Sequence, residues 1–315
     1  MEIVLSVFLM IVGLVMLVKG ADIFVDAGSN IGRIFKISEI IIGLTFVCIG
    51  TGLPELLLSI TASANGNADF VIGNIVGTNI FNMCCIMGMI CIMNPLKLLR
   101  QTVRKDMNMS LLSSVILLVL LMDTFGTDLR DRREKKYRER LEKKARGEEV
   151  PEEKKEEHVL TMKDVKAILK NLVIGIIGAA MVYFGAEIVV DNAVVIAHHF
   201  NVSQTFISIA IIAVGTSLPE ITTSIAAIKK NRINIAIGNL IGSNMFNTLF
   251  VIGMAALVNP IKLTETSLLI DCAVFVITCL TLVLFTKRKP EISRTEGLTL
   301  ISIYIVYIAY VIFRR

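Results

Sequence analysis

The sequence predicts an all-α polytopic membrane protein made of two inverted-topology repeats. Three observations carry that prediction. Long continuous apolar segments recur from end to end, the two halves of the sequence repeat each other, and lysine and arginine gather in particular loops.

The apolar segments come first. Of 315 residues, 54% are hydrophobic and 19% are charged, where a soluble domain carries about 25% charge. Mean hydropathy is +0.72. Runs long enough for the roughly 30 Å hydrocarbon core are expected at 3–19, 39–63, 70–93, 107–122, 168–190, 203–227, 235–258, 267–286 and 297–313. They are continuous rather than alternating, so they read as helices and not as barrel strands. Met1–Val18 has no basic leader and no small-residue cleavage site, so it reads as a retained span. The net charge of +5 lies in loops and is no nucleic-acid signal. All six cysteines sit in apolar segments without a CxxC spacing, which makes them small buried hydrophobes rather than a disulfide or metal set.

The repeat is the strongest organising fact. A constant offset of 165 residues aligns 13–106 with 178–271 without a gap, and 42–82 alone holds 16 identities in 41 positions. Gly50-Thr51-Gly52-Leu53-Pro54-Glu55 returns as Gly215-Thr216-Ser217-Leu218-Pro219-Glu220. Gly77-Thr78-Asn79-Ile80-Phe81-Asn82 returns as Gly242-Ser243-Asn244-Met245-Phe246-Asn247. Arg33 and Lys36 place the end of the first span inside, and Lys97, Arg100, Arg104 and Lys105 the end of the third. In the second half Lys163, Lys166 and Lys170 place the start of the first span inside, with Lys229, Lys230 and Arg232 inside later. Equivalent spans therefore run in opposite directions.

The expected organisation is a first transmembrane repeat at 1–128, a charged cytoplasmic linker at 129–162 and a second, inverted repeat at 163–315. The second half has five spans and the first shows four. Where a fifth should fall, the chain reads Arg132-Arg133-Glu134-Lys135-Lys136-Tyr137. Two readings stay open: a helix of about 20 residues is missing near Asp128–Leu129, or the fourth span dips in and returns.

Each Pro-Glu motif sets a carboxylate inside an apolar run. In lipid a carboxylate is expensive and points to function, and two such breaks at matching positions point to a transporter's substrate site. Proline removes a helical hydrogen bond and glycine weakens the helix further. Unwinding is therefore expected at Cys48–Gly52 and Ala213–Ser217, freeing backbone oxygens. Hard cations such as calcium take six to eight oxygens. Glu55 with Thr51, and Glu220 with Thr216 and Ser217, supply carboxylates and hydroxyls. Thr78 and Asn82 lie four apart on one helix face, as do Ser243 and Asn247, and they offer neutral oxygens from the neighbouring spans.

Two ionised carboxylates carry −2, which one divalent or two monovalent cations neutralise. When empty, the pair repels itself, so protons compete for it. A cage open to each side in turn, holding either a divalent or several monovalent ions, gives exchange.

These residues resemble the two alpha-repeats of the calcium/cation antiporter superfamily, and most of all the prokaryotic sodium/calcium exchangers. The resemblance covers nearly all of the sequence except the charged linker. It implies ten helices arranged five plus five inverted, a core of spans 2, 3, 7 and 8, and spans 1 and 6 that slide to alternate access. It implies ligands at Glu55, Glu220, Thr51, Thr216, Ser217, Thr78, Ser243 and Asn82, with backbone oxygens from Cys48 and Ala213, and electrogenic sodium coupling. Two departures stand out. Gly52 replaces the usual serine, removing a hydroxyl while Ser217 keeps its own. Asn247 replaces an aspartate found in several members, which argues against potassium co-transport and holds the cage at −2.

The function expected is calcium/sodium antiport across the cell membrane by a single chain, with Ca2+ and Na+ as transported ions, protons as competitors and no cofactor. A calcium/proton exchanger is the alternative within the class, although its Gly-Asn-x-x-Glu pattern does not occur. A cation channel is the alternative from another class, and two inverted cages fit it poorly. No nucleophile–base set, HExxH or phosphate loop suggests an enzyme. Asp22 and Asp26, with Glu187 and Asp191, read as helix caps or an ion-entry funnel, and His198-His199 as loop residues.

Overall fold

The computed structural model describes residues 2–93, 95–97, 106–125, 162–200, 213–261, 267–288 and 291–313. The described residues are almost wholly helical. They form α1 (Glu2–Phe35), α2 (Glu39–Ala64), α3 (Ala68–Met93), α4 (Met107–Phe125), α5 (Met162–His199), the short α6 (Ala213–Thr216), α7 (Leu218–Lys229), α8 (Ile233–Val258), α9 (Ser267–Arg288) and α10 (Arg294–Phe313). Seven of these are long and apolar enough to cross a membrane, and α4 is a shorter apolar helix. Each expected span coincides with a helix over its described part except 203–227, which Ser217 divides into α6 and α7. Residues 129–161 of the linker and the junction at Asp128–Leu129 lie outside the described residues, and the linker's last residue, Met162, begins α5.

Two helices are longer than their apolar cores. The spans at 3–19 and 168–190 are parts of helices of 34 and 38 residues. The extensions are not rich in strong helix formers, and the two long helices support one another. A Cβ on Gly13 would press on the Gly185 carbonyl, and one on Gly20 on the Gly178 carbonyl. The pairing order is reversed along the two chains, so α1 and α5 cross antiparallel with their backbones in close approach, as small residues allow in lipid. Asn30 donates from Nδ2 to Oδ1 of Asn171 at 3.2 Å farther along the same seam.

The inner layer is α2, α3, α7 and α8. Gly43 and Gly238 face each other where α2 crosses α8, with no room for a side chain on either. α10 packs on the C-terminal half of α3, and α9 packs on α3 and α4. Their core includes Ile72, Ile80, Leu117, Cys272 and Phe275, all buried. A two-residue antiparallel ladder, β1 (Leu96–Lys97) with β2 (Glu291–Ile292), ties the segment after α3 to the start of α10.

Candidate cation-binding site

Both copies of the asparagine motif sit on a π-helical turn, Phe81–Ile86 in α3 and Phe246–Val251 in α8. The two turns are related by the repeat offset of 165. One extra residue per turn re-aims the side chains that follow, and such turns gather at functional sites. A third π-turn, Gly43–Val47, precedes the Pro-Glu motif in α2.

The expected unwinding at Cys48–Gly52 and Ala213–Ser217 shrinks to a single residue of the second copy, because Ala213–Thr216 is helical. Ser217 breaks the helix between α6 and α7, with φ −92° and ψ 2°, and Pro219 opens the next turn. In the first copy Cys48–Ala64 stays helical through Pro54. There the π-turn upstream absorbs the irregularity, so the chain has no need to unwind at Cys48–Gly52. Lacking an N–H, Pro54 and Pro219 take the donor from the carbonyls four residues back, on Gly50 and Gly215. Phe24 of α1 packs on Gly50 and Val190 of α5 on Gly215, each too close for a Cβ. The long helix pair thus seals the backbone of both motifs.

Glu55 is 1% exposed and Glu220 is fully buried. The two lie within Coulombic reach of each other. Neither oxygen of either carboxylate has a hydrogen-bond partner. Ser59 Oγ, one turn beyond Glu55, is also unpaired, and so are four buried oxygens of candidate residues: Oδ1 of Asn82, Oδ1 of Asn247, Oγ of Ser217 and Oγ of Ser243. These four residues and the two glutamates were all candidates from sequence, and together they present eight unsatisfied oxygens. Leaving such atoms unpaired costs about 1–3 kcal/mol each, and more for charged groups. Two carboxylates ringed by hydroxyl and amide oxygens, with no basic side chain paired to either among the described residues, form a receptor for a hard cation. Among the described residues no third acidic group, histidine or cysteine completes a metal cluster, so the remainder of the set is neutral.

An asparagine lattice holds this arrangement. Asn244 donates from Nδ2 to the Asn79 carbonyl at 3.1 Å, and Asn79 from Nδ2 to the Asn244 carbonyl at 3.4 Å. Carbonyls only accept, so these bonds fix which way both amides face. Their Oδ1 atoms then accept from Asn82 Nδ2 at 3.3 Å and Asn247 Nδ2 at 3.4 Å. With their nitrogens engaged, Asn82 and Asn247 are left with free Oδ1 atoms. Asn79 and Asn244 are orienting residues that the motif reading passed over. Their identity in both copies, three positions before each candidate asparagine, was the signal.

Thr51 is buried and donates to Asn239 Oδ1 at 3.2 Å, which leaves its lone pairs available. Asn239 in turn donates to Thr223 and Ser224 at 3.2 Å each. Thr78 is buried, and Thr216 is half-buried beside the break. Cys48 is buried, and its carbonyl lies 3.4 Å from the Thr51 hydroxyl. The backbone of Ala213 starts α6.

Asp22 and Asp26 are not free acids at an entrance. Lys230 lies 2.7 Å from Asp26 and 3.6 Å from Asp22, and Arg232 lies 3.4 Å from Asp26. Glu187 and Asp191 are exposed and make no ion pair among the described residues. Basic residues at the turn between α7 and α8 recruit the first pair, whereas Asn65 and Asn67 stand at the equivalent turn between α2 and α3. His198 and His199 close α5 instead of lying in a loop.

Long helices that leave a buried cage of unpaired oxygens at the junction of two repeats define a multi-pass membrane transporter of cations. The chain belongs to the sodium/calcium exchanger protein family, whose model matches residues 5–138 and 170–313. That is a family of transporters, not of enzymes. It is 31% identical over 325 residues to inner membrane protein YrbG of Escherichia coli, covering 97% of this chain and 96% of that one. It is 29% identical over 343 residues to the sodium/calcium exchanger MaX1 of Methanosarcina acetivorans, covering 97% and 98%. The sodium-calcium exchanger NCX_Mj, solved with 10 mM Na+ and no Ca2+, superposes with a TM-score of 0.77 at 30% identity, over 98% of this chain and 99% of that one.

Proposed function

We propose that this protein exchanges Ca2+ for Na+ across the membrane by alternating access to the Glu55–Glu220 cage. The observation that carries the reading is the coincidence of the unpaired buried oxygens with the repeated motifs. Burying two ionised carboxylates costs several kcal/mol per ion unless a partner offsets it. Among the described residues no basic side chain pairs with either glutamate, so the offset is assigned to the transported cation. One calcium or two sodium ions balance the charge of −2. Asn82, Asn247, Ser217 and Ser243 complete the oxygen shell, joined by Thr51, Thr78, Thr216 and the backbone oxygens of Cys48 and Ala213. Calcium and sodium compete for one set of oxygens, and that competition couples their opposite movements. The likeness to proteins named as sodium/calcium exchangers agrees with this ion pair.

Purified protein in sealed vesicles tests the proposal. Calcium uptake should require an outward sodium gradient, and neither a proton nor a potassium gradient should replace it. Uptake driven equally by protons would favour calcium/proton exchange. Uptake with no counter-ion would favour a channel.

A further inference from the structure

A cavity of about 420 Å³ opens where the α1–α5 pair meets α2. On its buried side lie the rings of Phe24 and Phe46, with centroids 5.1 Å apart and planes tilted by 35°. Gly50, Leu53 and Pro54 of α2 line one wall, and Gly175, Ala179 and Ala180 of α5 line the other. Ile49 and Leu57 on α2, with Ile176 and Phe184 on α5, are exposed and form the rim. The Tyr183 hydroxyl is the one polar side-chain group in the lining. Small residues on α5 leave this space. At the positions of α1 related by the repeat offset, the chain carries Leu14 and Val15 in place of Ala179 and Ala180. The cavity is thus a departure from the repeat, made by two alanines.

We propose that this cavity is a binding site for one acyl chain of a bilayer phospholipid. Both walls lie within helices long and apolar enough to cross the membrane, so the fluid at the rim is hydrocarbon and not water. Left empty, a space of this size forfeits dispersion contacts along its whole lining. A hydrocarbon chain restores them without burying a polar group, whereas a headgroup would find almost nothing to bond. A helix from a partner protein or a second copy is too thick. At about 10–12 Å across, it fills roughly 400–600 Å³ with each turn, so the cavity holds no more than one turn. The volume is that of sites that take small apolar ligands, about 300–1,000 Å³. A chain seated here touches α2 and α5 together, and it backs the turn of α2 that carries Thr51 and Glu55. Such a site is independent of which cations the cage carries.

The sequence has no tryptophan, so a single introduced one reports on one place. Ile176→Trp sets it at the rim of the cavity, and Leu280→Trp sets it on an exposed part of α9 as a control. Each variant, purified in detergent, is titrated with a phosphatidylcholine whose acyl chains are brominated and quench indole emission on contact. Ile176→Trp should be half-quenched at about ten-fold less lipid than Leu280→Trp, and its curve should saturate. Adding Ala179→Leu with Ala180→Val, the residues of the other repeat, fills the cavity and should erase that difference. Equal quenching of the two tryptophans would make the cavity an ordinary lipid contact and overturn the proposal. A preference that survives the filled cavity would overturn it too. Quenching of Ile176→Trp by a brominated free fatty acid but not by the phospholipid would assign the space to a single-chain amphiphile instead. Should the filled variant fail to fold, the comparison of the two tryptophans decides alone.

Discussion

In the first repeat Gly88 is buried under α10. A Cβ there would sit 2.9 Å from the Gly297 carbonyl and 2.8 Å from Ile301. In the second repeat its counterpart Gly253 is exposed, with no described atom within 4 Å of such a Cβ, and Leu257 one turn on is 80% exposed. The same contrast runs the length of the two spans: the most apolar window of α3 is 78% buried and that of α8 is 44%. Around the cage, however, Asn79 and Asn244 exchange reciprocal hydrogen bonds, although Asn239 donates to Thr223 and Ser224 while the Nδ2 of its counterpart Asn74 has no partner. The repeats thus keep their symmetry where cation chemistry requires paired oxygens. They lose it at the periphery, where only packing against a neighbouring helix or lipid is at stake.

The most severe way to break the symmetry is to remove one carboxylate. Glu55→Ala and Glu220→Ala should each abolish calcium uptake, by more than about 100-fold, because either change leaves a single buried charge facing a divalent ion. Equal losses in the two variants would confirm that the copies share one site. Substantial flux in either would show that one half suffices.

The lattice that aims the neutral oxygens comes next. Asn79→Ala frees Asn247 to turn, and Asn244→Ala frees Asn82. Supporting residues of this kind are worth about 10- to 100-fold in metal affinity. Each variant should raise the calcium concentration for half-maximal uptake by that amount, and because it strips buried polar groups of partners it should also lower stability by about 1–3 kcal/mol. If both variants transport with unchanged calcium dependence, the orienting role is wrong.

Much of this site was legible in the sequence because lipid permits few reasons for a repeated glutamate. Glu55, Glu220, Asn82, Asn247, Ser217 and Ser243 all present unpaired buried oxygens. What the motifs could not convey was helix register. The π-turns at Phe81 and Phe246 leave no composition signal, since apolar and amide residues fill ordinary turns equally well. The intact helix through Pro54 was misjudged for the same reason, as the compensating turn lies upstream at Gly43–Val47. The lengths of α1 and α5 exceeded their apolar cores because helix formation continues past the membrane boundary wherever a partner helix supports it.

The packing contrast predicts unequal tolerance of a single methyl group. Gly88→Ala pushes a Cβ onto backbone atoms of α10 that cannot move aside, so it should destabilise the protein by about 1–3 kcal/mol. Gly253→Ala meets open space and gains helix propensity, so it should be neutral or stabilising by up to about 1 kcal/mol. Thermal unfolding in detergent reads both. A Gly253→Ala variant as unstable as Gly88→Ala would mean that the α8 face is covered after all.

The smallest effect tests the ends of the long helices. Lys230 and Arg232 tie Asp22 and Asp26 of α1 to the turn between α7 and α8, while Glu187 and Asp191 of α5 have no such ties among the described residues. Lys230 also donates to the Asp22 carbonyl at 2.7 Å, which anchors it to the α1 backbone. These groups are partly exposed, Lys230 at 24% and Asp26 at 51%, so solvent screens each pair to about 0.2–1 kcal/mol. That is at most roughly five-fold in the balance between states that keep and lose the tie. Asp26→Asn should therefore change the ratio of apparent calcium affinities at the inner and outer faces by up to about five-fold. Asp191→Asn should leave that ratio within two-fold, and raised ionic strength should imitate Asp26→Asn in the unaltered protein. An equal shift from Asp191→Asn would show that the acids act through their charge alone. The unequal response follows only if α1 is latched to the core on one side of the membrane while α5 is left to move.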